Sequence, residues 1–196
     1  MQNRDEAEGL ASGMDAEPRR NLFERAYEAI EDRLVNLTLP PGHRLTMNDL
    51  TALTGLGRTP VHHAVNRLAA DTLILIRPRH GLQIAPIDLS RERTLLRLRR
   101  DLERFVVRLA AERSGPVERD QIGQIARLLE ERRSRLTLDT FNTIDRGIDR
   151  LILAAANEPF LESALRPLHT IFRRIGYIHH THGGDIIDLT ETVDHH

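Results

Sequence analysis

From Leu22 onward, apolar residues recur at the three- and four-residue spacing of a helix. Leu22, Ala26, Ile30 and Leu34 share one face of a helix predicted over 22–37, and Leu39-Pro40-Pro41-Gly42 ends it and turns the chain. Thr46 is a plausible N-cap for a short helix through Leu50 to about Leu53, with Asp49 as a weaker capping-box partner. Gly55 supplies a turn, and Thr59-Pro60 opens a second helix, where the fixed φ of proline suits a first helical position. Val61, Ala64, Val65 and Leu68 stand at i, i+3, i+4 and i+7 and form one buried stripe. The opposite face carries His62, His63, Asn66 and Arg67, with Arg58 at the helix mouth. The period then shortens. Leu73–Ile76 and Leu82–Ala85 are β-rich runs around Pro78-Arg79-His80-Gly81, which predicts a hairpin with a basic tip. Two short helices, a tight turn and a hairpin, in that order, describe a winged helix-turn-helix, a shape that enters a DNA groove.

After Asp88 the pattern is helical throughout. Ser90 is placed to cap a long helix reaching about Arg113, with Leu95, Leu98, Leu102, Phe105, Val106 and Leu109 as its apolar stripe, and Ser114-Gly115-Pro116 stops it. Further helices are predicted over about 117–136, 138–156 and 159–177, and from Ile186 to the end, with Asn157 as a left-handed C-cap. His179, His180 and His182 read as a solvated loop before Gly183-Gly184. The expected architecture is mainly α. Residues 1–18 form a tail, 19–86 a winged helix-turn-helix with a small β-hairpin wing, and 90–196 an antiparallel helical bundle for effector binding and dimerisation.

Composition narrows the function. The chain of 196 residues has no Cys and no Trp, which removes disulfide and thiolate chemistry and suits a reducing cytoplasm. No apolar run approaches the ~18 residues of a membrane span, and the acidic, polar start is not a signal peptide. Net charge is −1, so there is no overall basic footprint. Charge is uneven, however: residues 1–18 hold one Arg and five acids, whereas residues 19–85 hold nine Arg and six acids. A modest local excess fits a specific binder that gathers phosphate contacts as a dimer, with salt-dependent affinity.

The segments PPGHRL, LTALTGLGRTPVHHAVNRLAADTLI and RPRHG resemble the DNA-binding domain of the GntR family of bacterial transcription regulators. The resemblance implies that Arg58 and Thr59 contact DNA, together with His62, His63 and Arg67 on the same helix and Arg79, His80 and Gly81 at the wing. Arginine can grip guanine O6 and N7 with two hydrogen bonds, and a glycine allows close backbone approach. The chain departs from the family pattern at Gly57, where a hydroxyl is usual, at His62, where an arginine is usual, and at Thr72, where glycine is common. Asn48 stands where an acyl-responsive relative carries arginine.

LRRDLERFVVRLAAERSG, Asp145-Arg146-Gly147-Ile148-Asp149 and LAAANEPFLESAL resemble the all-helical FCD effector domain of the FadR subfamily. The resemblance implies a divalent metal (Zn, Mn or Ni) held by Asp145, by Asp149 in place of the family's His, and by His195. It places Arg99 facing an effector pocket, where its fork would clamp a carboxylate; Arg99 and Glu103 equally form an i,i+4 surface pair. Relatives continue through a final helix, so the effector domain is expected to be truncated. The reading is a sequence-specific regulator acting as a homodimer on a double-stranded operator, sensing a small carboxylate, with no enzymatic activity and no membrane contact. The alternatives are a truncated interaction protein that modulates a full-length relative, and a metal-dependent enzyme.

Overall fold

The computed structural model describes residues 22–132 and 136–182. The elements are α1 (Leu22–Val35), β1 (Arg44–Leu45), α2 (Met47–Thr54), α3 (Arg58–Ala70), β2 (Ile74–Arg77), β3 (Gly81–Ile84), α4 (Leu89–Arg113), α5 (Pro116–Arg132), α6 (Leu138–Ala156) and α7 (Pro159–His182). They form two compact units that do not follow chain order. Among the described residues, one is built from residues 22–96 together with Arg166–Thr181, and the other from Arg97–Leu165. Helices α4 and α7 therefore each contribute to both. Pro167 lies inside α7, two residues past its passage from one unit to the other. The expected tail over 1–18, the helix from Ile186 and the candidate ligand His195 lie outside the described residues.

The first unit is the winged helix-turn-helix. Ile30 and Leu34 of α1, Leu50 of α2, and Val61, Val65 and Leu68 of α3 have no exposed surface and meet in one core. Each such side chain contributes about 1.5–3 kcal/mol of burial, which explains why the i, i+3, i+4 pattern was so readable. Ile171 of α7 belongs to the same core, with Phe172 and Ile175 packed against it. Arg174, 1% exposed, donates to the Ala85 carbonyl at 3.1 Å. The capping box at α2 is complete: the Thr46 hydroxyl accepts from the Asp49 amide at 3.2 Å, and the Asp49 carboxylate accepts from the Thr46 amide at 2.7 Å. Gly55 closes α2 in the left-handed region at φ 65°.

The wing is a three-stranded antiparallel sheet in the order β1-β3-β2, not a bare hairpin. Leu45 pairs with Leu82 and Arg44 with Gln83, while Ile74 pairs with Ile84 and Arg77 with Gly81. A two-residue strand is too short to register as a period-two pattern. Gly81 has φ 80°, and a β-carbon there would sit 2.9 Å from the Leu45 carbonyl oxygen. The close approach that demands glycine is thus made by β1.

Helix α4 starts two residues earlier than expected. Its cap is Asp88 rather than Ser90, because the Asp88 carboxylate accepts from the amides of Ser90 at 3.0 Å and Arg91 at 3.2 Å. Val106 and Ala110 are buried on α4, but Leu98 and Phe105 of the expected stripe are 49% and 55% exposed. In the helical unit, Ile125 and Leu129 of α5 pack on Phe141 of α6. Thr137 caps α6, and Asn157 ends it at φ 47°, as expected of a left-handed cap. Arg113 donates to the Ala156 carbonyl at 2.7 Å and the Asn157 carbonyl at 3.2 Å, satisfying acceptors that a helix C-terminus leaves open. Helix α7 continues past Tyr177 to His182, so His179 and His180 sit on a helix and not in a loop.

Candidate nucleic-acid interface

The two-helix motif presents α3 with its apolar side locked inward and its polar side outward. Pro60, Val61, Ala64, Val65 and Leu68 are buried, while Arg58, Thr59, His62, His63, Asn66 and Arg67 are exposed. Gly57 is the N-cap residue and makes no side-chain capping bond. Among the described residues, neither the Arg58 guanidinium nor the Thr59 hydroxyl has a side-chain partner. His62 lies 3.3 Å from the Asn66 amide nitrogen, so these two side chains form one polar ledge beside Arg58.

The other flank of α3 faces α1. The His63 ring tilts against Phe23, with centroids 4.8 Å apart. Arg67 donates to Glu24 at 2.9 Å, and its guanidinium carbon lies 4.5 Å from the centre of the Tyr27 ring. The polar residues of α3 therefore divide. Arg58, Thr59 and His62 stand clear, whereas His63 and Arg67 are engaged by α1. Periodicity had put His62, His63, Asn66 and Arg67 on one outward face, with Arg58 at the helix mouth; the helix to which the flank turns depends on tertiary packing that spacing does not encode.

The wing tip is basic and open. Arg77, Arg79 and His80 are exposed, and the turn closes through a hydrogen bond from the His80 amide to the Arg77 carbonyl at 2.9 Å. Arg79 itself is left-handed, at φ 64°. The Arg77 side chain bonds Gln83 at 3.3 Å, and Gln83 in turn bonds the Gly42 carbonyl at 3.4 Å, so the wing base is tied to the turn before β1. Asn66 and Arg77 join the candidate contact surface on geometry. Their signal in the sequence was their place beside Arg58 and the tip, which only the fold turns into proximity.

In the helical unit, Asp145 is buried on α6 and Asp149 is half-buried one turn further on. Carboxylate oxygens of Asp149 and Glu103 lie within 4.8 Å of one another. Arg99 donates to Glu103 at 2.6 Å, which is the i,i+4 pair the sequence allowed. Oxygen donors on α4 and α6 thus converge with a guanidinium bonded to one of them.

Residues 22–84 match the model of bacterial regulatory proteins of the gntR family, and residues 94–196 match that of the FCD domain. The chain belongs to the GntR family. It is 24% identical, over 168 residues, to the HTH-type transcriptional repressor RspR of Escherichia coli K12, a span covering 84% of this chain and 72% of that one. It is 24% identical over 123 residues to the HTH-type transcriptional regulator McbR of Escherichia coli K12, covering 63% of this chain and 56% of that one. Among solved structures, E. coli McbR/YncC superposes with a TM-score of 0.75 at 20% identity, covering 89% of this chain and 82% of that one. A GntR transcriptional regulator from Rhodococcus sp. RHA1 gives a TM-score of 0.59 at 20% identity, covering 82% of this chain and 79% of that one.

Its relatives are DNA-binding transcription regulators rather than enzymes, and the regulatory function follows from the GntR and FCD matches together. Thr72 has φ 63°, a conformation that a β-branched residue enters only at a cost. The Arg91 side chain donates to its hydroxyl at 2.5 Å, binding the start of α4 to the end of the recognition motif. No helix among the described residues is long and apolar enough to cross a membrane.

Proposed function

We propose that this protein is a cytoplasmic, ligand-responsive homodimer that reads a pseudo-palindromic operator, with α3 in the major groove and the wing against the flanking backbone. The observation that carries the reading is the unengaged start of α3. Arg58, Thr59 and His62 project from a helix whose other side is fully anchored, so base contacts need no rearrangement of the core. Arg79 and His80 at the wing tip would meet phosphates, and exposed Leu98 and Phe105 on α4 supply apolar surface for a second copy to cover. Arg99 would clamp a small carboxylate through its fork, exchanging Glu103 for the ligand. Asp149 and Glu103, with Asp145 one turn away on α6, would supply oxygen ligands to a divalent ion.

The test begins with duplexes enriched by the wild-type protein from a random-sequence pool. Arg58→Ala should weaken binding by about 1–3 kcal/mol and relax preference at one position in each half-site. Equal weak affinity for all duplexes, unchanged by Arg58→Ala, would remove the reading. Thermal shift with short carboxylates and with Mn or Zn salts tests the sensor: stabilisation that Arg99→Ala abolishes for the acids, and Asp149→Ala for the metal, is the expected result.

A further inference from the structure

We propose that Glu24 is a carboxylate shared between the recognition helix and α7, and that Arg166 is a positioning residue through which α7 governs whether Arg67 is available to DNA. This rests on α3 being the recognition helix. Glu24 on α1 binds two guanidiniums at once, Arg67 of α3 at 2.9 Å and Arg166 of α7 at 2.5 Å. Both cations also flank one ring, with guanidinium carbons 4.5 Å and 5.7 Å from the centre of Tyr27. The Tyr27 phenol donates to Asp71, the C-cap residue of α3, at 3.1 Å. The Thr170 hydroxyl, one turn beyond Arg166, donates to Glu31 of α1. The end of α3 is therefore held by a ring and a carboxylate of α1 that α7 holds as well.

The electrostatics make the sharing consequential. Burial pushes the Glu24 carboxyl up, but the hydrogen bonds and charges of Arg166 and Arg67 more than reverse this and hold it below the usual glutamate value. Two cations on one anion compete for it. Withdrawing Arg166 leaves the whole charge of Glu24 to Arg67 and fastens that side chain to α1. Weakening the hold of Glu24 frees Arg67, which is 43% exposed, long and forked, to reach a phosphate. Helix α7 runs from Pro159 to His182 and carries Arg166 to this contact.

The experiment is fluorescence anisotropy with the full chain and a duplex selected by the wild-type protein, across a series of salt concentrations. Glu24→Gln is close to isosteric and should steepen the slope of log Kd against log salt by roughly one phosphate per subunit, a unit worth about 0.9. Arg67→Met in the Glu24→Gln background should return the slope to the wild-type value. Arg166→Met should change affinity at least threefold in the wild-type background and have no effect in the Arg67→Met background. A wild-type slope in Glu24→Gln, or additive effects of Arg166→Met and Arg67→Met, overturns the proposal; a role confined to stability would lower the melting temperature and leave the slope alone. The Glu24→Gln slope decides the matter even where Arg166→Met does not fold. If Arg58→Ala binds as well as wild type, the reading of α3 fails; if Arg58→Ala binds weakly while Glu24→Gln keeps the wild-type slope, only the shared-carboxylate proposal fails.

Discussion

Thr72 stores local strain. At φ 63° its β-branched side chain crowds the backbone, a cost of about 1–2 kcal/mol. Glycine would relieve the strain but return about 0.5–1 kcal/mol through its freer unfolded chain, and would also lose the bond from Arg91. Asparagine tolerates the left-handed region and keeps a polar atom in reach of Arg91. Thr72→Asn should therefore raise stability by about 1 kcal/mol, read as a melting temperature a few degrees higher. The carboxylates around Tyr27 give opposed pH signatures. Glu24 has its folded pKa lowered, so its stabilisation is complete above its ordinary value of 4.5 and is lost as pH falls through the lower folded value. Asp71 is pushed up by burial, against the hydrogen bond from Tyr27, so its contribution is complete below its ordinary value of 3.8 and is lost as pH rises through the folded value. In urea titrations, the stability difference between wild type and Glu24→Gln should stay level from neutrality to the ordinary glutamate value, then shrink in stronger acid.

At the scale of elements, legibility followed length and repetition. The capping box of α2 was read from Thr46 and Asp49, and it tests simply: Thr46→Ala should cost about 1 kcal/mol, measured by denaturant unfolding. Helix α3 was equally plain, because four buried positions repeat at helical spacing over one short stretch. Strand β1 was invisible, since two residues carry no period and its place beside β3 is a long-range choice. Asp88 was passed over as a cap in favour of Ser90 because either can fill the role; the difference of a residue or two is settled by which oxygen faces the free amides. The stripe on α4 failed differently. Six apolar positions were counted, yet Leu98 and Phe105 remain largely exposed while Val106 and Ala110 are buried, so periodicity identified an amphipathic helix without saying which part of its apolar side this chain covers for itself.

For the molecule as a whole, the sequence suggested a division near Asp88, the family matches change over between residues 84 and 94, and the compact units exchange segments beyond that point. Residues 166–181 lie far along the chain, yet Ile171 enters the core formed by α1, α2, α3 and the sheet, and Arg174 holds the Ala85 carbonyl from within. Nothing in the local pattern of α7 could announce this: an amphipathic helix looks alike whichever core receives it. The exposed polar residues of α3 were readable as a group, but the contact of Arg67 with Glu24, which Arg166 of α7 also binds, is set by packing from far along the chain. It follows that a fragment ending at Leu96 should be less stable than the same region in the full chain. Losing the burial of Ile171 alone would remove about 1.5–3 kcal/mol, visible as earlier urea unfolding and faster amide exchange in α1. The same interleaving bears on modular engineering. A chimera that splices this reader to a foreign sensor at the linker would leave a socket where α7 enters, so a working graft must transplant two separate pieces of sequence, and natural recombination at that junction would carry a built-in handicap.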